Sequence, residues 1–100
     1  MTDDEIRELA AGRPIEIVEI DDATIVLTKP SRAEFDRWVD TADKGAANTR
    51  HFVESCVLYP PKDEFRALLD RYPAVLRADC LTAVSELAGV GKAKRRTLGP

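Results

Sequence analysis

The sequence is short of the residues on which catalysis and metal binding rest. It has one histidine, His51, and two cysteines, Cys56 and Cys80, in 100 residues. The cysteines stand 23 residues apart with no CxxC spacing, so no zinc-ligand pattern is present. Ser31, Ser55 and Ser85 lack the flanking glycines of a nucleophile elbow, and no pair of carboxylates is singled out for acid–base work. Glycine is scarce, at five. The one stretch that brushes a phosphate-loop pattern, Gly89-Val90-Gly91-Lys92, follows a helical segment and runs into cations, without the preceding strand and following helix such a loop needs. No apolar run approaches a membrane span. These absences predict no enzyme, no metal, no cofactor and no membrane partner.

What is present is an ordinary globular balance, with 44% hydrophobic and 33% charged residues. The length suits one domain, with no room for a separate catalytic one. The formal net charge is −3, yet Lys92, Lys94, Arg95 and Arg96 place four cations in the last nine residues, leaving −7 on residues 1–91. An acidic body does not match a phosphate backbone, which makes nucleic acid an unfavoured partner. The basic run alone is a candidate contact for an anionic partner, although no aromatic residue interleaves with it for base stacking. Both cysteines sit among apolar residues and are expected to be reduced core residues. The acidic start Met1-Thr2-Asp3-Asp4-Glu5 is the opposite of a secretory n-region, so a cytosolic setting is expected.

The densest local signal is Thr28 to Val39. Pro30 stops a helix from running through, Ser31 is a preferred N-cap, and Glu34 is placed to complete a capping box. Phe35, Trp38, Val39 and Ala42 recur on one face, which predicts a keystone core helix from Arg32 to about Asp43 with Lys44-Gly45 as its end. Before it, Thr2 and Glu5 form a second capping-box pattern for a short helix that Gly12 and Pro14 close. Ile15–Ile20 and Ala23–Thr28 read as a hairpin turning at Asp21-Asp22, or through a slightly longer turn that takes in Ala23, with edges open to augmentation. After it, a helix is expected from near Asn48 to Tyr59-Pro60-Pro61, a third from Lys62 or Asp63 to Arg71, and a fourth from Ala74 to Ala88 with Gly89 as cap. The expected fold is thus α+β and mainly helical: residues 1–89 form one domain, an N-terminal arm and β-hairpin followed by a compact bundle of about four short helices, and residues 90–100 form a flexible basic tail. The hairpin edge makes a homo-oligomer an open possibility. Tyr59 and Tyr72, each immediately before a proline at a helix end, are candidate partner-binding residues, because tyrosine is enriched at association surfaces.

This layout resembles the small tail assembly chaperones of long-tailed bacteriophages. The residues that carry the likeness are the hairpin followed by Lys29-Pro30-Ser31-Arg32-Ala33-Glu34-Phe35-Asp36-Arg37-Trp38, then Ser55-Cys56-Val57-Leu58-Tyr59-Pro60, Phe65-Arg66-Ala67-Leu68-Leu69-Asp70-Arg71-Tyr72-Pro73, and Leu87-Ala88-Gly89. The resemblance implies a non-enzymatic factor in the host cytoplasm that binds the tape measure protein and helps recruit tail tube protein, with longer frameshifted forms known in the family, and it puts a partner groove around Phe65, Leu69 and Tyr72. Another small phage structural or interaction protein, and a nucleic-acid-binding regulator with a helix-turn-helix over the last two helices, are the competing readings. Asp79 and Glu86 on the would-be recognition helix weigh against the regulator.

Overall fold

In the computed structural model, which describes all 100 residues, the chain starts with the reciprocal cap that its sequence spells. The Thr2 hydroxyl accepts from the Glu5 amide at 3.2 Å, and the Glu5 carboxylate accepts from the Thr2 amide at 3.0 Å. Helix α1 (Asp3–Ala10) ends as Ala11 and Gly12 turn to φ +51° and +82°. Ile6 and Ala10 are buried, so the arm is docked.

Strands β1 (Ile15–Ile20) and β2 (Ala23–Thr28) pair antiparallel from Ile15 opposite Thr28 to Ile20 opposite Ala23. Asp21 takes φ +51° at the tip, a backbone that Asp tolerates better than most residues. Alternation sends Ile25 and Leu27 of β2 into the main core with Val18 and Ile20 of β1 beside them. Val26 points to the other face; it is fully buried but stands outside the main core cluster, as do Ile6 and Ala10. The sheet is therefore apolar on both faces of its central strand.

The main core joins Ile25 and Leu27 to Phe52, Val53, Cys56, Phe65, Leu68, Val75, Leu76, Cys80, Ala83 and Val84. Helices α2 (Arg32–Asp40), α3 (Ala46–Glu54) and α4 (Lys62–Arg71), a π-helical turn (Leu76–Leu81) and α5 (Thr82–Leu87) supply the remaining elements. The α+β, mainly helical fold is as expected. Gly89 closes α5 at φ +109°, with its amide on the Glu86 carbonyl and the Val90 amide on the Ser85 carbonyl, a Schellman motif. Both cysteines are free and buried, and burial raises both thiols, Cys80 to about 12.

Several expectations are corrected. The helix expected to reach Tyr59 stops at Glu54, and Val57–Tyr59 forms a third strand, β3, on the open edge of β2. The β-branched and aromatic run finds backbone partners there, and Pro60 disfavours the helical region for Tyr59. The keystone helix ends at Asp40 rather than Asp43 and contains no fully buried residue. Phe35 and Trp38 pack on the core only partly, Val39 is 58% exposed, and Ala42 lies outside the helix in the open. Its end is held by the Lys44 ammonium, which donates to the carbonyls of Trp38 and Thr41 and sits 4.6 Å over the Trp38 ring. Trp38 in turn stacks on Phe52 at 5.1 Å. Gly45 is the N-cap of α3, not the C-terminal glycine of α2. Ser31 accepts from the Glu34 amide, but the Glu34 carboxylate pairs with Arg37 at 2.5 Å and leaves the box half-made. The expected helix from Ala74 to Ala88 opens with the π turn, with α5 confined to Thr82–Leu87.

Candidate functional site

Two hollows differ in chemistry. The more polar one, about 370 Å³, lies among Glu34, Arg37, His51, Glu54, Ser55 and Lys62. Apart from Lys62, its charges are matched by ion pairs. Arg37 donates to Glu34 and to Nε2 of His51, at 2.7 Å, so that ring nitrogen acts as an acceptor. Arg66 grips Glu54 through both carboxylate oxygens at 2.8 and 3.2 Å. Burial pushes the Glu54 carboxyl up, but Arg66 and then Arg50 outweigh it and hold it below its ordinary value. Arg50 Nε stands 3.6 Å from Glu54, an ion pair without a hydrogen bond. The Ser55 hydroxyl donates to the Phe52 carbonyl, not to His51. The arrangement ties α2, α3 and α4 together and leaves no free nucleophile–base pair. No group of three or more His, Cys, Asp or Glu side chains converges as metal ligands.

The second hollow, about 360 Å³, is a cleft between α4 and the hairpin turn. Ala23, Tyr59, Pro60, Ala67 and Leu68 supply apolar surface, and Asp22, Glu64 and Arg71 supply charge. Met1 lies against it, 51% exposed. The wall on α4 is built from Glu64, Ala67, Leu68 and Arg71, at i, i+3, i+4 and i+7, which is one helical face. Tyr59 arrives through β3, and the Tyr59–Pro60 bond is cis. A cleft with an apolar lining and a few fixed charges suits an amphipathic segment rather than a small polar substrate.

The structure separates the sequence-predicted residues. Tyr59 lines this cleft. Phe65 does not reach the surface: its ring is completely buried, so its assignment to an exposed partner-binding surface is corrected. It belongs to the main core and lies beneath the polar hollow, not the cleft. Leu69 and Tyr72 are half-buried against the core, outside the cleft lining. The Tyr72 hydroxyl donates to Asp21, which raises its own pKa and ties the end of α4 to the hairpin tip. Lys92, Lys94, Arg95 and Arg96 are all exposed. Lys92 lies beside Pro14, Glu16 and Glu86, where burial and then the neighbouring Glu86 raise the Glu16 carboxyl. Sequence reasoning missed Ala67, Leu68 and Arg71 as site residues. Their signal was the face of α4 adjacent to the Phe65–Leu69–Tyr72 stripe.

No helix is long and apolar enough to cross a membrane. Searches of curated proteins and of solved structures give no match. A family described as a domain of unknown function, DUF6848, matches residues 15–96, from β1 through the basic run, and the chain belongs to that family.

Proposed function

We propose that this protein is a non-enzymatic assembly chaperone that holds an amphipathic helical segment of a long partner in the cleft between α4 and the hairpin. The cleft carries this reading, since Tyr59 and Ala67 offer apolar surface over a floor closed by the largely buried Leu68, and Glu64 and Arg71 fix orientation at its rim. Displaceable binding of this kind needs no chemistry beyond an apolar groove. The likeness in layout to tail assembly chaperones of long-tailed phages gives the partner: the tape measure protein, with tail tube protein recruited to the complex in the host cytoplasm. The alternative of another small phage structural protein shares the cleft but not this partner.

The test is co-purification of the tagged chain with the proteins encoded beside it, in moderate salt. Retention of a long, helix-rich protein is expected, and Ala67→Arg, at an exposed position in the cleft wall, should abolish it while leaving the circular dichroism spectrum unchanged. Capture that survives Ala67→Arg and Tyr59→Ala in folded protein would move the partner site away from the cleft, with Leu69 and Tyr72 the next alanine variants. Recovery of nucleic acid that is shed as salt rises would replace the chaperone reading with one centred on Lys92, Lys94, Arg95 and Arg96.

A further inference from the structure

The sheet order β1-β2-β3 leaves two edges, and they are not alike. β3 has three residues, pairs with β2 through a register irregularity, and runs directly into Pro60-Pro61. Short length, a bulge and proline all blunt an edge. β1 has six residues, Ile-Glu-Ile-Val-Glu-Ile, with continuous register and no proline or lysine.

The direction of the free groups on β1 follows from β2. The Thr28 amide donates to Cys56, so Thr28, Val26 and Thr24 turn their backbone groups toward β3. Leu27, Ile25 and Ala23 then bond β1 through Glu16, Val18 and Ile20. The N–H and C=O groups of Ile15, Ile17 and Glu19 therefore point outward, and no backbone bond outside the ladder uses them. Ile17 stands at the centre of this row with 42% of its surface exposed.

We infer that a second copy of this chain pairs with β1 antiparallel, about a twofold axis through Ile17. Only one register joins all the outward-facing residues to one another: Ile17 opposite Ile17 of the second copy, Ile15 opposite Glu19, and Glu19 opposite Ile15, each pair exchanging both hydrogen bonds. Shifting one way by two residues sets Glu16 against Glu16, and shifting the other way leaves Ile15 outside the row. In the favoured register Glu16 meets Val18, so no like charges face each other. Extending it past the strand ends brings Arg13 toward Asp21 of the second copy, a complementary charge at each end. Arg13 donates internally from Nε and Nη2 only, and Asp21 accepts from Tyr72 through Oδ2 only, so each keeps a free atom for that contact. A single strand edge is a small interface, so the dimer depends on concentration.

The proposal is independent of the cleft and is tested on the full chain without any partner. Sedimentation should show the mass rise from 11.1 kDa toward twice that value with concentration. Ile17→Pro removes an outward amide that β2 does not use, so it should keep the hairpin and hold the protein at one chain at every concentration. Arg13→Glu should weaken the dimer several-fold. Amide exchange read residue by residue on the wild-type chain keeps the proposal falsifiable if the proline variant misfolds. The amides of Ile15, Ile17 and Glu19 should slow about tenfold or more as the dimer fills. A monomer up to near-millimolar concentration, a dimer that a folded Ile17→Pro leaves intact, or a dimer in which those amides exchange as fast as in the monomer would each overturn it.

Discussion

Helix α2 and the stretch Cys56–Phe65 invert the relation between local signal and burial. α2 has a serine cap and two aromatic rings, yet none of its residues is fully buried. Cys56–Phe65 contains a three-residue strand, and the helix that follows has Pro61 at its N-cap position and no side-chain cap, yet Cys56, Pro60 and Phe65 are all buried. Caps fix where a helix begins, because they satisfy its first amides. They carry no information about which side of the helix meets the sheet. Burial is decided by which apolar residues join the cluster built on Ile25 and Leu27, and Phe65 does so fully while Trp38 lies across Phe52 at the margin.

The sharpest test is the pair Phe65→Ala and Trp38→Ala in urea unfolding. Phe65→Ala should cost about 3–5 kcal/mol, because a completely buried ring leaves a cavity in a packed core. Trp38→Ala removes a half-buried ring with one stacked partner and should cost about 1–2 kcal/mol. Equal losses would break the comparison and restore α2 to the centre of the fold.

Next in size is Glu54, the tie between the end of α3 and α4. Its side chain is 10% exposed, while those of Arg66 and Arg50 are 41% and 42% exposed, so solvent screens the pair. Glu54→Gln should cost about 1–2 kcal/mol near neutral pH. The sign with pH follows from its lowered pKa. The carboxylate is favoured in the folded state, so its contribution is complete above the ordinary carboxyl value of 4.5 and is lost as pH falls through the folded value. Wild-type and Glu54→Gln stabilities should converge in acid. A gap that persists there would mean that Glu54 acts through packing rather than charge.

How far the sequence could be read tracks the range of the interactions that settled each element. The Thr2 box, the turn at Asp21-Asp22, the bounds of α4 and the Gly89 cap depend on partners within a few residues, and all were legible. β3 was not. Val57-Leu58-Tyr59 has no ladder of its own and becomes a strand only because the edge of β2 is open to it. The cleft was legible only in part for the same reason: Tyr59 could be seen, but the α4 face read from the sequence was the neighbouring Phe65–Leu69–Tyr72 stripe, and the meeting of Tyr59 with Ala23 and Thr24 needs the third strand. The exposed row Ile15, Ile17, Glu19 needed it too, since the Thr28–Cys56 bond fixes which backbone groups face outward.

A smaller effect belongs to the cap of α2. Ser31→Ala removes the acceptor of the Glu34 amide at 3.1 Å and should cost about 1 kcal/mol by denaturant unfolding. A cost at the lower end of the usual range is expected, because the reciprocal half of the box is missing and Glu34 is already held by Arg37. A much larger loss would show that the helix depends on its cap and not on the Trp38–Phe52 contact.

The smallest change comes from Val39→Lys. The sequence pattern places Val39 on the core face with Phe35 and Trp38, whereas in the structure it is 58% exposed and α2 ends one residue later. If the helix lies on the margin of the core, a lysine there leaves its ammonium in water and shifts stability by no more than about 0.5 kcal/mol. If α2 were instead the centre of the packing, the same charge would be buried without a partner and the protein would lose several kcal/mol. Because the two arrangements differ so widely at this one exposed position, a thermal melt of Val39→Lys separates them even though its expected effect is close to nothing.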